Sequence, residues 1–261
     1  MRYHGKVTII TGGTKGIGAG CVKVFVEEGG ATVVFCSRSE KEGQALEAAL
    51  NRTGGGRALF ARADVTRFDD VQRLIDTTLE RFGRIDCLIN NAGWHPPHKP
   101  IDEFSVDDFR SLLDLNVISY FAACKLALPH LRKVKGNIIN LSSLVGSIGQ
   151  LGATTYVATK GAITAFTKAL AVDEAAHEVR VNSVSPGNIY TPLWQEAIDA
   201  AADPEKCRDD GDAAQLLGRM GTSEEVGRLC LYLAADATFT TGVDHIVSGG
   251  AELGYGRKAR R

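Results

Sequence analysis

Short, continuously apolar runs alternate with longer amphipathic stretches along almost the whole chain. The runs of strand length fall at residues 6–10, 32–36, 58–62, 87–90, 137–141, 180–185 and 244–247. Between them, apolar positions recur with helical spacing over 17–28, 41–50, 69–82, 106–132, 155–176 and 224–235. A strand that is apolar at successive positions, not alternate ones, is buried on both faces, the condition of a parallel sheet covered by helices. Right-handed crossovers then give a Rossmann-like, doubly wound α/β fold of about seven strands with helices on both faces. No linker, composition break or repeat divides residues 1–261, so one domain is expected.

Two stretches break the alternation. Residues 94–100 carry Pro96, Pro97 and Pro100, which fit neither a helix interior nor a central strand. Residues 190–215 open with a turn and a short apolar helix, then become small and acidic. Long irregular connections often carry function. Both follow strands, at the carboxyl edge where ligands bind in such sheets.

Composition removes several function classes. A formal net charge of −1 over 261 residues leaves no dedicated nucleic-acid surface. The one basic cluster, Arg257, Lys258, Arg260 and Arg261, reads as a solvated tail. No apolar run approaches the ~20 residues of a membrane span, and the first residues lack a signal peptide's apolar core, so a cytosolic location is expected. The 6 cysteines show no C-x-x-C spacing and read as reduced core fillers. The histidines neither pair at helical spacing nor cluster with cysteine, so no metal is expected.

The first strand leads into Thr11-Gly12-Gly13-Thr14-Lys15-Gly16-Ile17-Gly18 and an apolar helix. Gly12, Gly16 and Gly18 give a tight turn, close backbone approach to a pyrophosphate, and close helix–strand packing. The helix N-terminus adds free N–H groups for the anion. This is a dinucleotide site. Where the second strand ends, a carboxylate would bind the ribose 2′-hydroxyl of NAD, and an arginine would accept the 2′-phosphate of NADP. The chain has Ser37 and Arg38 there, with Lys15 in the glycine loop, which favours NADP(H) over NAD(H). Both cations are also readable as solvated surface charges. Asp64 and Val65 close the third strand, where a carboxylate and amides meet an adenine. Asn90, Asn91, Ala92 and Gly93 end the fourth, small enough to admit the cofactor, with amides to brace the strand ends.

Tyr156 and Lys160 stand four residues apart within a helical pattern, with Ser143 upstream. Residues i and i+4 share a helix face. A free phenol titrates near pKa ~10, and a cation within ~4–6 Å favours its ionised form. The trio therefore supplies a proton carrier, an ammonium expected to lower its pKa, and a hydroxyl to hold a substrate oxygen. Alone, such spacing is weak evidence.

Taken together, residues 11–18, Asn90 to Gly93, Asn116, Ser143, Tyr156 with Lys160, and Ser185-Pro186-Gly187 resemble the short-chain dehydrogenase/reductase family over essentially the whole chain. Finer strings at 94–97, 126–133, 141–150, 187–194 and 249–256 are similar to its 17β-hydroxysteroid dehydrogenase type 14 (dehydrogenase/reductase member 10) group. Members of that group use NAD and carry an acidic residue where this chain has Ser37. The resemblance implies hydride transfer between a nicotinamide and a secondary alcohol or ketone, with Tyr156 as general acid/base. It implies that Lys160 binds the nicotinamide ribose and lowers the tyrosine pKa, that Ser143 binds the substrate oxygen, and that Asn116 holds a relay water. Pro186, Gly187, Ile189, Thr191 and Leu193 would lie beside the nicotinamide. Dimers or tetramers are implied, through the small-residue face of the Tyr156 helix.

A substrate wall is expected from residues 94–98, 144–155 and 193–200, mixing apolar Trp94, Leu144, Val145, Leu151 and Trp194 with polar His95 and Gln150. By the same resemblance, Tyr255 of a neighbouring subunit would reach it. Such a wall suits a rigid apolar alcohol, in line with a steroid 17β-hydroxyl of the estradiol type. It also suits a sugar hydroxyl, L-fucose by resemblance, with His95 and Gln150 on its hydroxyl groups. His95 is equally readable as a turn cap and Trp194 as packing. A non-catalytic dinucleotide-binding sensor or scaffold is the alternative of another class.

Overall fold

A computed structural model of the chain describes residues 1–253; Tyr255 and the basic tail lie outside the described residues. Seven parallel strands form one sheet in the order β3-β2-β1-β4-β5-β6-β7. They are β1 (Val7–Thr11), β2 (Thr32–Ser37), β3 (Arg57–Arg62), β4 (Cys87–Asn90), β5 (Asn137–Leu141), β6 (Arg180–Pro186) and β7 (Asp244–Val247). The helices are α1 (Gly16–Glu27), α2 (Glu40–Leu50), α3 (Phe68–Phe82), α4 (Val106–Leu113), α5 (Ser119–Val134), α6 (Val145–Ile148), α7 (Thr154–Glu174), α8 (Pro192–Asp199), α9 (Pro204–Ala213) and α10 (Ser223–Ala235).

The two-sided burial expected of continuous apolar strands appears residue by residue. Ile10, Val33, Phe35, Ile89 and Ile139 pack with Cys21, Val22 and Phe25 of α1 and with Val226, Cys230 and Leu231 of α10. Their strand neighbours Ile9, Val34, Leu88 and Ile138 face the other way, onto Val71 and Ile75 of α3, Ala127 and Leu131 of α5, and Ala171 of α7. Strand order reverses between β1, which continues to β2 and β3, and β4, which continues to β7. That is where such sheets open a crevice at their carboxyl ends.

Three expectations change. The helix expected over 106–132 is interrupted by a π-helical stretch, Asp114–Ile118. Such insertions concentrate at functional sites. The combined Val106–Val134 is also long and apolar enough to cross a membrane, although no such run was expected; half of its most apolar window is buried within the fold, as expected of a core helix. The acidic part of 190–215 is a second helix, α9. Asp203 caps it by accepting the Lys206 N–H at 3.0 Å, and Pro204 occupies its first turn.

Candidate functional site

The crevice holds a cavity of about 590 Å³ that runs from Ser37 and Arg38 past the glycine loop to Tyr156 and Lys160. That size is ordinary for a bound small molecule. At its centre the glycine loop is locked to the end of β4. The Asn91 side-chain amide donates to the carbonyls of Thr11 (2.9 Å) and Gly12 (3.0 Å). The Thr11 hydroxyl accepts the N–H groups of Asn91 (3.0 Å) and Ala92 (3.1 Å). A Cβ on Gly12, whose φ is +66°, would lie 2.9 Å from the Ala92 Cα. One on Gly18 would collide with the Gly12 carbonyl, whose carbon is 2.9 Å away. No side chain caps the N-terminus of α1 and no acidic residue stands in its first turn, so its N–H groups remain open to an anion. These residues fit a dinucleotide: Gly12, Lys15, Gly16, Ile17 and Gly18 would hold its pyrophosphate.

Ser37, Arg38, Lys15, Asp64, Val65 and Thr66 line the far end of the cavity. The Ser37 hydroxyl accepts the Ser39 N–H at 3.1 Å, turning the chain after β2. The Asp64 carboxylate is bound to the Thr66 hydroxyl (2.7 Å) and N–H (3.0 Å). Ala92, Gly93, Pro186, Thr191 and Leu193 line the near end, as expected. The Thr191 hydroxyl also caps α8, accepting the Trp194 N–H at 3.4 Å.

Other residues expected at the cofactor or the substrate are not among those lining this cavity. Asn90 points into the core, its amide donating to Asn140 Oδ1 (2.9 Å) and Cys124 Sγ (3.3 Å). Its neighbour Asn91 does the bracing at the cleft. Ile189 belongs to the core under α10, and Gly187 backs onto Ser248, whose Cα a Cβ there would approach to 3.0 Å. Trp194 packs against α9: a Cβ on Gly211 would lie 3.1 Å from its indole. Tyr255 lies outside the described residues. Thr11, Thr14 and Asn91 were missed as site residues.

At the nicotinamide end, α7 presents Tyr156 and Lys160 from successive turns, with the ammonium 5.7 Å from the phenol ring centroid. Lys160 Nζ donates to the Leu141 carbonyl at 2.8 Å and is almost wholly buried. Burial brings its pKa down to about 8. Burial pushes the Tyr156 phenol up to about 12, against a smaller downward pull from the Ser143 hydroxyl beside it. The expected lowering of the phenol by the ammonium is not borne out: burial dominates, and the downward pull comes from the Ser143 hydroxyl.

Asn116 lies within the π stretch, and its side chain is already committed. It accepts the Trp94 N–H (3.0 Å) and donates to the Trp94 carbonyl (3.0 Å) and the Thr159 hydroxyl (3.1 Å). It clamps the loop that carries His95. A Cβ on Gly93 would lie 3.2 Å from Asn116 Oδ1 and 3.7 Å from Lys160 Nζ, so a gap between those groups exists only because residue 93 is glycine. His95 lies against the phenol, ring centroids 4.2 Å apart, and bonds to Gln150 at 3.0 Å. Among the described residues no His, Cys, Asp or Glu cluster could hold a metal ion.

A family model described as enoyl-(acyl carrier protein) reductase matches residues 12–252. The chain is 55% identical over 260 residues to an L-fucose dehydrogenase of Mus musculus, covering 100% of this chain and 93% of that one. Among solved structures, an L-sorbose reductase from Gluconobacter frateurii, complexed with NADPH and L-sorbose, superposes with a TM-score of 0.90 at 27% identity, covering 96% of this chain and 98% of that one. An aldohexose dehydrogenase from Thermoplasma acidophilum gives a TM-score of 0.85 at 31% identity, covering 96% and 95%.

Proposed function

The chain belongs to the short-chain dehydrogenase/reductase family, and from that premise we propose that it oxidises a hydroxyl of L-fucose or a closely similar sugar. It is a nicotinamide-dependent dehydrogenase acting on CH–OH groups, which sets aside the scaffold alternative. The observation that carries the sugar reading is 55% identity to an L-fucose dehydrogenase along the entire chain. His95, a polar point in the lining of the cavity, supports it over the steroid. Ser37, Arg38 and Lys15 at the ribose end support NADP(H), since β2 ends in Ser37 and not in the carboxylate that would repel a 2′-phosphate.

When bound, the cofactor supplies the hydride acceptor at its nicotinamide. The protein's part is orientation and the proton. Ser143 holds the substrate oxygen beside Tyr156, and the Tyr156 oxygen takes the hydroxyl proton as the C–H bond is oxidised. Lys160, held by the Leu141 carbonyl, keeps an ammonium near the phenol and the ribose. A cationic neighbour is what a phenol raised to about 12 by burial requires to ionise near neutrality. Exposed Ile118, Phe121 and Val172 on α5, its approach and α7 support a homo-oligomer through that face.

The test offers L-fucose and estradiol, each with NADP or NAD, and follows reduced nicotinamide by absorbance. L-Fucose with NADP is expected to turn over fastest; faster turnover of estradiol would return the steroid reading. Tyr156→Phe is expected to abolish turnover while leaving cofactor binding measurable, and near-normal turnover would remove the mechanism.

A further inference from the structure

Two consecutive residues at the end of β5 grip Lys160 at both of its ends. Ser142 donates its N–H to the Val184 carbonyl of β6 at 2.8 Å, so in the alternating ladder the Leu141 carbonyl looks the other way, towards β4. There the ladder has ended. The β4–β5 register runs to Asn90 opposite Asn140, and the N–H that would continue it, that of Ala92, is given to the Thr11 hydroxyl at 3.1 Å. The Leu141 oxygen is therefore left to side chains. It accepts Lys160 Nζ at 2.8 Å and the Tyr120 hydroxyl at 3.2 Å.

The other end of the same lysine is its own carbonyl. The Ser142 hydroxyl, one residue along from Leu141, donates to it at 2.8 Å. Chemistry fixes the direction of that bond, because a carbonyl oxygen only accepts. With its one hydrogen so spent, the Ser142 oxygen keeps its lone pairs for the Thr164 hydroxyl, 3.0 Å away and one turn further along α7. Ser142 and Lys160 are both buried, which raises the cost of losing any of these bonds. Helix α6 closes another flank, where a Cβ on Gly146 would lie 3.0 Å from the Lys160 carbonyl carbon.

We propose that Ser142 is a positioning residue for the reaction: its hydroxyl seats the Lys160 turn of α7 on the end of β5 and thereby sets where the ammonium stands. The inference rests on the reading of Tyr156 and Lys160 as the proton-handling pair and deepens it. A lysine carries its charge on a flexible four-carbon stem, and a single contact at the tip leaves that stem free to coil. Fixing the carbonyl at one end and the ammonium at the other, on adjacent residues of one strand, removes that freedom. The ammonium then stands 5.7 Å from the ring centroids of both Tyr156 and Tyr120. Ser143 follows Ser142 directly, so the same hydroxyl ties the strand end bearing Ser143 to the helix bearing Tyr156. Phenol, ammonium and Ser143 share one frame through it.

The experiment measures calorimetric affinity for the preferred cofactor, NADP or NAD, and L-fucose kinetics at saturating cofactor. It compares wild type with Ser142→Ala, Ser142→Cys and Ser142→Thr, and repeats the binding of Ser142→Ala in a Lys160→Met background. Cys keeps the shape of serine with only a weak donor, and Thr keeps the hydroxyl. Met keeps a stem in place of the lysine's, and the Tyr120 hydroxyl still satisfies the Leu141 carbonyl. Ser142→Ala and Ser142→Cys are expected to weaken cofactor binding about three- to tenfold. They are expected to lower kcat about ten- to hundredfold, with KM for L-fucose within about twofold of wild type. Ser142→Thr is expected to restore both. In the Lys160→Met background Ser142→Ala is expected to add no further loss of affinity, because the hydroxyl acts through the ammonium. An equal loss in both backgrounds would make Ser142 structural alone and overturn the inference, as would wild-type behaviour of Ser142→Cys. Binding needs no alcohol, so with L-fucose inert the sugar reading falls and the binding cycle decides by itself. Wild-type binding and turnover in Lys160→Met would remove the proton-handling pair and this inference with it. A weakened Lys160→Met beside an unaffected Ser142→Ala would remove only the role of Ser142.

Discussion

Replacing Gly18 by alanine tests whether the glycine loop is closed by backbone contact. A Cβ there meets the Gly12 carbonyl and the Asn91 amide, with the Gly12 carbonyl carbon 2.9 Å away. These are backbone atoms and an amide that donates to two carbonyls, so neither swivels clear without losing bonds. Overpacking of this kind costs about 1–3 kcal/mol. Displacing Asn91 also strains its bonds to Thr11 and Gly12, each worth about 1 kcal/mol. The better helix propensity of alanine inside α1 returns about 1 kcal/mol. The net is a loss of about 2–4 kcal/mol, a large share of an ordinary domain's stability. Gly16→Ala supplies the internal control. Its Cβ would meet only Thr191, at 3.6 Å, but its φ of +56° is left-handed, which costs a non-glycine residue about 1–2 kcal/mol. Urea unfolding and calorimetric NADP titration of both variants check the ranking: Gly18→Ala is expected to be the less stable and to bind NADP more weakly. A wild-type midpoint for Gly18→Ala, or a larger drop for Gly16→Ala, would refute closure by contact.

Two further outcomes follow from named pairs. Ser37→Asp keeps an acceptor for the Ser39 N–H (3.1 Å) but adds a negative charge at the ribose end. The ratio of kcat/KM for NADP over NAD is expected to fall at least about tenfold, equivalent to about 1.4 kcal/mol, and an unchanged ratio would place the 2′-phosphate elsewhere. The buried Glu174 carboxylate receives the Arg132 guanidinium at 2.6 and 2.8 Å, which holds its pKa below the usual range. A depressed folded-state pKa adds stability above the unfolded value of ~4.3, lost as pH falls through the folded one. Arg132→Met is therefore expected to cost about 1–3 kcal/mol near neutrality, discounted because Arg132 is itself 40% exposed, and to bring acid unfolding on at higher pH. Urea midpoints at pH 7 and pH 4 measure both; equal midpoints for variant and wild type at pH 7 would count against the pair.

Much of this was legible in the chain because the dominant signals are local. Strands buried on both faces read as unbroken apolar runs, so β4, β5 and β7 fall on the expected residues, β2, β3 and β6 differ by one residue at one end, and β1 is shifted by one. The same continuity hides direction. Nothing in Cys-Leu-Ile-Asn-Asn says which asparagine faces the core: the sequence reading let both amides brace the strand ends and put Asn90 on the cofactor, whereas Asn91 braces the loop and Asn90 faces inward. Helix α9 was obscured by Gly211 and its run of aspartates, although Asp203 before Pro204 is a start signal by itself. The acidity of Tyr156 could not be read from spacing at all. Position i+4 brings an ammonium near, but burial decides the balance, and burial is a property of the assembled site. Trp194 looked like a substrate wall because it is large and follows the sixth strand; its indole packs, with Met220, into the space left by Gly211.

The π-helical stretch Asp114–Ile118 leaves α4 and α5 answering to different neighbours. A straight α-helix turns about 100° per residue, so a single inserted position resets which way every later side chain points. Within it Asn116 is set to clamp Trp94; downstream, Ala127 and Leu131 are tuned to the sheet. Deleting one residue there would repair the helix and wreck the enzyme, by forcing one of those two registers to yield to the other.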